Sequence, residues 1–329
     1  MCMVKSSTKY LPNKIQSDFM SLNRRKFLSI AGTAAAIVAS PWETLMANSP
    51  SFKIPPGFSI KIMGTNWGFD GTVDAFCEKA KAAGYDGIEM WWPVDKVAQG
   101  ELFSALKKHQ LDIGFLCGVG ESDPQKHIKA FKEMIDACAH QTIQQQLYIN
   151  CHSGKDYFPE EINNEIVQYT IDLAKETGLT ICHESHRSRI LFAAHVAKKY
   201  IQRFNQLRMT LDISHWCNVH ESLLHDQEET VQLALTRVDH IHARVGHPEG
   251  PQVNDPRAPE WADAVNRHLE WWDKVVELKI KSGAKQLTIL TEFGPPDYMP
   301  TLAYTRQPLA DQWAINVHMM QLLRKRYQA

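Results

Sequence analysis

Eight short apolar runs, each followed by a stretch with helical spacing, set the tightest limit on how this chain can fold. The runs are Ser59–Met63, Gly87–Trp91, Asp112–Cys117, Gln146–Asn150, Leu179–His183, Arg208–Ile213, His240–Val245 and Leu287–Thr291. They read as strands, and as strands covered on both faces, because apolar residues run on rather than alternate with polar ones. Four of the helical stretches carry end signals. One over Thr72–Ala83 stops at Gly84, and one over Pro124–His140 begins behind Ser122 and Asp123, where a cap and a first-turn proline belong. One over Glu160–Thr177 stops at Gly178, and one over Trp261–Lys281 stops just before Gly283. Strands separated by helices pair in parallel, since only a long crossover returns the chain in the same direction.

Two architectures fit that alternation, an open doubly wound sheet and a closed barrel. No G-x-G-x-x-G turn follows the first strand, where a dinucleotide-binding sheet would want one. The count of eight, and about 280 residues once a leader is set aside, match the ~250-residue barrel. The expected fold class is α/β, a single (β/α)8 TIM barrel over residues 48–329, with no linker dividing it.

Residues 1–47 read as an address and a disordered leader. "SLNRRKFLSIAGTAAAIVAS" places Arg24 and Arg25 ahead of a short run of small apolar residues. This resembles a twin-arginine export signal, and the run is too short to anchor a membrane span. Cleavage would fall after Ser40 or Ala47. A soluble, exported, periplasmic protein is expected, with no stable membrane insertion after the signal is removed. Net charge is −1, from 36 basic and 37 acidic side chains, so no field of one sign advertises a nucleic-acid partner. Beyond Cys2, six cysteines occur without a C-x-x-C pair, which argues against a zinc ribbon and for buried thiols.

Function should sit where strands end, because barrels of this kind draw their catalytic residues from the carboxyl ends of different strands. "LTICHESHRSR" at the fifth strand passes from Leu179–Cys182, which carry no charge, to His183, Glu184, His186, Arg187 and Arg189. The fourth strand ends in Asn150, His152 and Lys155, and the sixth, "MTLDISHW", in Asp212 and His215. The seventh ends in His240, His242 and Arg244, and the eighth, "LTILTEFG", in Glu292. Glu184 to Asp212 is 28 residues and Asp212 to His242 is 30, each about one βα unit; His242 to Glu292 is 50, one unit plus a long loop. Glu184, Asp212, His242 and Glu292 should therefore face one mouth from adjacent strands. Three carboxylates brought together need a countercharge. A divalent cation supplies it, and mostly oxygen ligands suit Mn²⁺ or Mg²⁺ first, then Co²⁺ or Zn²⁺. Glu89, in "GIEM", should point into the mouth and either hold a substrate hydroxyl or pair structurally with a neighbour. Trp67, Trp91, Trp92 and Trp216 fall near strand ends and could stack on sugar faces or pack the barrel. The loops Gly246–Pro259 and Pro295–Pro308 should lie over the same face.

With these residues in place, the chain resembles the xylose isomerase-like barrels, specifically the sugar isomerase/epimerase group that includes the ketose 3-epimerases, over roughly residues 55–325. The resemblance rests on "GYDGIEM", Glu184, "LDISH", "HIHARVG" and "TEFG". It implies a metal quartet of Glu184, Asp212, His242 and Glu292, with Glu184 and Glu292 as the acid–base pair on opposite faces of a keto sugar. It also implies His215 as a substrate-binding group. The activity implied is isomerisation or epimerisation by proton abstraction through a metal-stabilised enediolate. In the ketose 3-epimerases the substrate-binding Arg lies several residues beyond the seventh-strand His, whereas Arg244 lies two beyond His242; it is carried over as a site residue. His152, Lys155 and His186 are not that group's usual equipment. They add proton donors and a cation that suit β-elimination, so a lyase or dehydratase acting on a 3-keto-glycoside or keto-inositol is the alternative. The apurinic endonucleases share the barrel and place a His where His152 stands. They need an Asp-x-His after the seventh strand, which "GHPEGPQVNDPRAP" lacks. A non-catalytic sugar-binding protein is the remaining reading. The expected partner is a small carbohydrate, and the sequence leaves room for a homo-oligomer.

Overall fold

The computed structural model describes residues 54–327; the twin-arginine leader expected over residues 1–47 lies outside them. Eight parallel strands close into a barrel in chain order. They are β1 (Ser59–Thr65), β2 (Gly87–Trp91), β3 (Asp112–Gly118), β4 (Ile149–His152), β5 (Ile181–Glu184), β6 (Met209–Leu211), β7 (Val238–His242) and β8 (Gln286–Thr291). The helices are α1 (Val73–Ala83), α2 (Lys96–His109), α3 (Pro124–Ala139), α4 (Glu160–Thr177), α5 (Ala194–Arg203), α6 (Ile213–Val219), α7 (Glu228–Leu235), α8 (Ala262–Lys281) and α9 (Gln312–Tyr327). A ladder from Ser59↔Gln286 to Gly64↔Thr291 joins the first strand to the last, so the barrel leaves no sheet edge.

The helix ends obey the local chemistry read above. Thr72 caps α1 by accepting from the Ala75 N–H, Asp123 caps α3 by accepting from the Lys126 N–H, and Gly84 and Gly178 close α1 and α4. Every strand but β2 differs from expectation by one to three residues at an end, and three of the differences have a clear consequence. β4 starts at Ile149 rather than Gln146, whose side-chain amide is spent on the Cys138 carbonyl at the end of α3. β6 stops at Leu211 because Asp212 turns the chain, its carboxylate accepting from the Ser214 N–H to start α6. β7 spans Val238–His242, so Arg244 stands beyond the strand rather than within it.

At the amino-terminal end of the barrel, Asp239 accepts from Arg208 at 2.5 and 2.7 Å and also pairs with Lys279. Asp86 binds the Ile62 N–H at 2.8 Å and Arg324 of α9 at 3.0 Å, tying the last helix to the first strands. These charged clamps lie at the end where this fold keeps its stabilising contacts. The six cysteines Cys77, Cys117, Cys138, Cys151, Cys182 and Cys217 are free and buried.

Inside the barrel Met63, Tyr148 and Leu290 form a buried cluster. The Tyr148 ring stacks on His240, 3.8 Å between centroids. It reaches that position because residue 114 is a glycine: a Cβ on Gly114 would lie 2.2 Å from Tyr148 Cζ. Gly114→Ala therefore forces a rigid ring to move in a packed interior and should destabilise the fold by about 1–3 kcal/mol. The midpoint of urea unfolding measures it, and an unchanged midpoint would show that Tyr148 does not hold the position described.

Candidate metal centre

β5, β6, β7 and β8 deliver four groups to one point. One ligand atom each from Glu184, Asp212, His242 and Glu292 lies within 4.8 Å of the others, and all four residues are buried. The expected quartet is thus brought together at the carboxyl ends of adjacent strands. His242 Nδ1 lies 2.9 Å from Glu292 Oε2 and 3.7 Å from Glu184 Oε2. Glu184 Oε2 also accepts from Asn150 Nδ2 at 2.7 Å and meets His152 Nε2 at 2.8 Å. Asp212 accepts from Ser214 and from Arg244. Glu292 is aimed by its neighbours. The Phe293 N–H and carbonyl are both held by the Asn316 amide, and the Gly294 N–H donates to Gln252 Oε1 at 2.7 Å.

Charge accounts for the protonation pattern. Burial opposes a charged His242, yet Glu292, Glu184 and Glu89 together hold its imidazole protonated well above the usual range. Burial raises Glu184, but His152 and His242 outweigh it and hold the carboxyl well below the usual range. Burial dominates at Asp212 and lifts it to about 6 against the pull of Arg244. The donor set fits a hard divalent cation: three carboxylates, one imidazole, and a buried Glu184 Oε1 without a hydrogen-bond partner. Glu89 supports the set from below. Its Oε1 lies 3.4 Å from His242 Nε2 and its Oε2 lies 3.4 Å from His240 Nε2. A carboxylate behind a ligating imidazole orients the ring and raises its basicity.

Above the quartet a cavity of about 450 Å³ opens to solvent. Its walls include Trp67, Trp91, His152, His186 and Tyr298, and Glu89, Arg244 and Glu292 reach its floor. Five of the ten sequence-derived site residues, Glu89, His152, His186, Arg244 and Glu292, therefore face it directly. Arg244 is buried and spans Asp212 and Glu292, while the Tyr298 ring lies 4.7 Å from its guanidinium. Its position beyond β7 does not remove it from the site, because residues 240, 242 and 244 all point inward.

Two expected substrate-binding residues stand elsewhere. His215 does not line the cavity: it is fully buried, the His186 ring lies over it at 3.9 Å, and Arg244 bonds its Nε2 at 2.8 Å. Lys155 does not line it either; its residue turns with the loop after β4, where its carbonyl accepts from Asn163. His183 points outward and is satisfied by Ser153 and Thr170. Trp92 packs on Phe115, and Trp216 is buried with its Nε1 on the Leu191 carbonyl, so these two are packing residues. The loop over residues 246–259 supplies no cavity wall; it supports Gly294 through Gln252. Tyr298 was not singled out from the sequence. Its only signal is its place in the proline-rich loop after the eighth strand.

Residues 77–290 match the family model described as a xylose isomerase-like TIM barrel. No curated protein matches the chain in sequence. Among solved structures, a D-tagatose 3-epimerase-like protein superposes with a TM-score of 0.53 at 12% identity, over 81% of this chain and 96% of its own. A D-allulose 3-epimerase from Methylomonas sp. gives 0.51 at 16% identity, over 81% and 98%. A probable 3-DHS dehydratase from Bacillus anthracis gives 0.52 at 14% identity, over 80% and 98%. At these identities the likeness is one of fold.

Because His242 must lose its proton to become a ligand, cation binding should release about one proton near neutrality and strengthen about tenfold per pH unit while His242 stays protonated. Calorimetry with Mn²⁺ in buffers of different ionisation enthalpy reads the proton count. Zero release across pH 6 to 8 would contradict the assignment of His242 as a ligand.

Proposed function

The chain belongs to the xylose isomerase-like TIM barrel family, and on that premise we propose that it is a divalent-metal-dependent isomerase or epimerase of a keto sugar. The observation that carries the reading is the buried quartet of Glu184, Asp212, His242 and Glu292 beneath a cavity walled by Trp67 and Trp91. Those four residues would hold a divalent cation, Mn²⁺ or Mg²⁺ by ligand type, which when bound would supply Lewis-acid chemistry toward a carbonyl oxygen and so acidify the neighbouring C–H.

The chain's own groups then divide the work. Glu184 and Glu292 come from strands three apart around the barrel, so they approach a bound sugar from different sides. One takes the proton from the carbon beside the carbonyl and the other returns it, which inverts that carbon. Arg244 holds a substrate oxygen or the developing negative charge. Trp67 and Trp91 present apolar faces to the ring, the usual partner of a sugar's C–H surface. The leader expected over residues 1–47 extends the proposal to an exported enzyme acting on free sugars or glycosides.

Elimination is the second reading, and His152 favours it. His152 and His186 are rim-facing imidazoles with rings 4.7 Å apart, and His152 Nε2 sits 2.8 Å from Glu184. After Glu184 removes the proton, His152 is placed to give one to a departing oxygen at the next carbon. Product analysis in heavy water separates the two readings. Free ketoses and 3-keto-glycosides are incubated with the Mn²⁺-loaded protein, with and without chelator. Deuterium at the carbon beside the carbonyl with the glycosidic bond intact marks epimerisation, whereas release of the aglycone marks elimination. Glu184→Gln and Glu292→Gln should each lower turnover at least ~100-fold with metal retained. Chelator-resistant turnover, or no exchange with any keto sugar, would remove the proposal.

A further inference from the structure

Lys155 and Arg189 are left over once the centre above is built, and among the described residues neither cation makes a side-chain hydrogen bond or an ion pair. They stand on the loops after β4 and β5, on the same face of the barrel as the cavity. The two loops touch. The Ile190 N–H donates to the Ser153 carbonyl at 3.3 Å, and a Cβ on Gly154 would lie 2.6 Å from Ile190 Cγ1. Gly154 sits at φ 59, so this close approach needs glycine twice over. Lys155 and Arg189 each lie one residue from that contact.

Arg189 Nε and Nη1 are buried and have no hydrogen-bond acceptor. Its backbone N–H, not its guanidinium, is what bonds His186. Neither it nor Lys155 forms an ion pair among the described residues. Arg187, two residues earlier, is by contrast engaged by Asn218 and by the Tyr298 ring. The side chain packed against the Gly154 turn is an imidazole. His127 is fully buried, accepts from the Gly154 N–H and bonds the Glu121 carbonyl through its other nitrogen. Burial, with Lys155 and Arg189 adding to it, holds that imidazole below its usual range, so it carries no charge of either sign to the pair. Burial holds both Lys155 and Arg189 below their usual ranges; the charge of Arg189 adds to this at Lys155 while Asp156 opposes it, and at Arg189 the opposing carboxylates are Glu184 and then Asp156. Tyr298, on the cavity wall, also lies within the electrostatic reach of Arg189.

Two adjacent unpaired cations, one with buried donors in a planar fork, match an oxyanion. We propose that Lys155 and Arg189 form a subsite beside the cavity for a carboxylate, sulfate or phosphate group carried by the substrate. The sugar is then an acidic one. The subsite rests on the keto-sugar reading for the rest of the molecule that it holds, but its occupancy needs no turnover.

The test therefore reads binding. Full-length protein is titrated with inorganic sulfate and with matched pairs of neutral and acidic ketoses, fructose against fructuronate among them, at constant ionic strength. The wild type should bind sulfate saturably and take the acidic member of at least one pair tenfold or more tightly. Arg189→Ala and Lys155→Ala should each erase most of that preference and leave the neutral sugar's affinity unchanged. Lys198→Ala, in an exposed pair with Glu229, serves as the charge control. If Arg189→Ala does not fold by circular dichroism, Arg189→Gln and Lys155→Ala carry the test. Absence of saturable sulfate binding overturns the subsite, as does an acidic preference that survives in both variants. Sulfate binding lost in the variants without any acidic-sugar preference makes it a site for a free anion and overturns the substrate assignment. Retained acidic preference in a protein that exchanges no deuterium would remove the catalytic reading and leave the subsite standing.

Discussion

Three buried carboxylates cannot share one small volume without positive charge among them, and the mouth of this barrel is built around that demand. Glu184, Asp212 and Glu292 converge with His242, and Arg244 and His152 lie against them. In a medium that screens poorly, each carboxylate left alone would take up a proton instead of keeping its charge. The protein answers with an imidazolium at His242, a guanidinium spanning two of the acids, and donors that fix each side chain. A divalent cation meets the same demand more fully, which is why the donor set fits one.

That arrangement depends on the layer beneath it. Glu89 on β2 bridges His240 and His242, and Tyr148 stacks on His240 in space that Gly114 leaves open. Tertiary packing therefore holds the ligand on β7 from residues on β2, β3 and the segment before β4. On the other side, α9 grips the backbone just past Glu292 through Asn316 and Gln312. Rotamers locked from behind keep a site in its working geometry.

The rim is less settled than the floor. Its histidines and aromatic rings come from five segments, Trp67, His186 and Tyr298 from loops and Trp91 and His152 from the ends of β2 and β4, and on the proposed reading the imidazoles serve departure of a leaving group while Glu184 and Glu292 handle proton return. On the proposed function, the choice between isomerisation and elimination would lie in which substrate atom reaches His152, and that would follow from how the sugar is held. A charged group gripped by Lys155 and Arg189 would fix the ring in one orientation, so substrate choice and reaction type are coupled there.

Much of the fold was legible in the chain because its signals are local. β2 and α4 run between the bounds read from their apolar and helical patterns, and Gly84, Gly178 and Asp123 cap helices as their chemistry requires. Spacing of about one βα unit brought Glu184, Asp212, His242 and Glu292 to adjacent strand ends, since a barrel converts sequence interval into angular position. Loop conformation has no such rule. Whether Lys155 and His215 reach the cavity, whether Trp92 packs inward, and that Tyr298 folds over Arg244 depend on contacts between segments far apart in the chain. Sequence by itself thus determined the barrel and the charges gathered at its mouth, because periodicity and spacing are properties of the chain. Only the tertiary structure decided which of the remaining polar groups face a ligand and which are paired or covered, because partners for a side chain are found in space and not along the backbone.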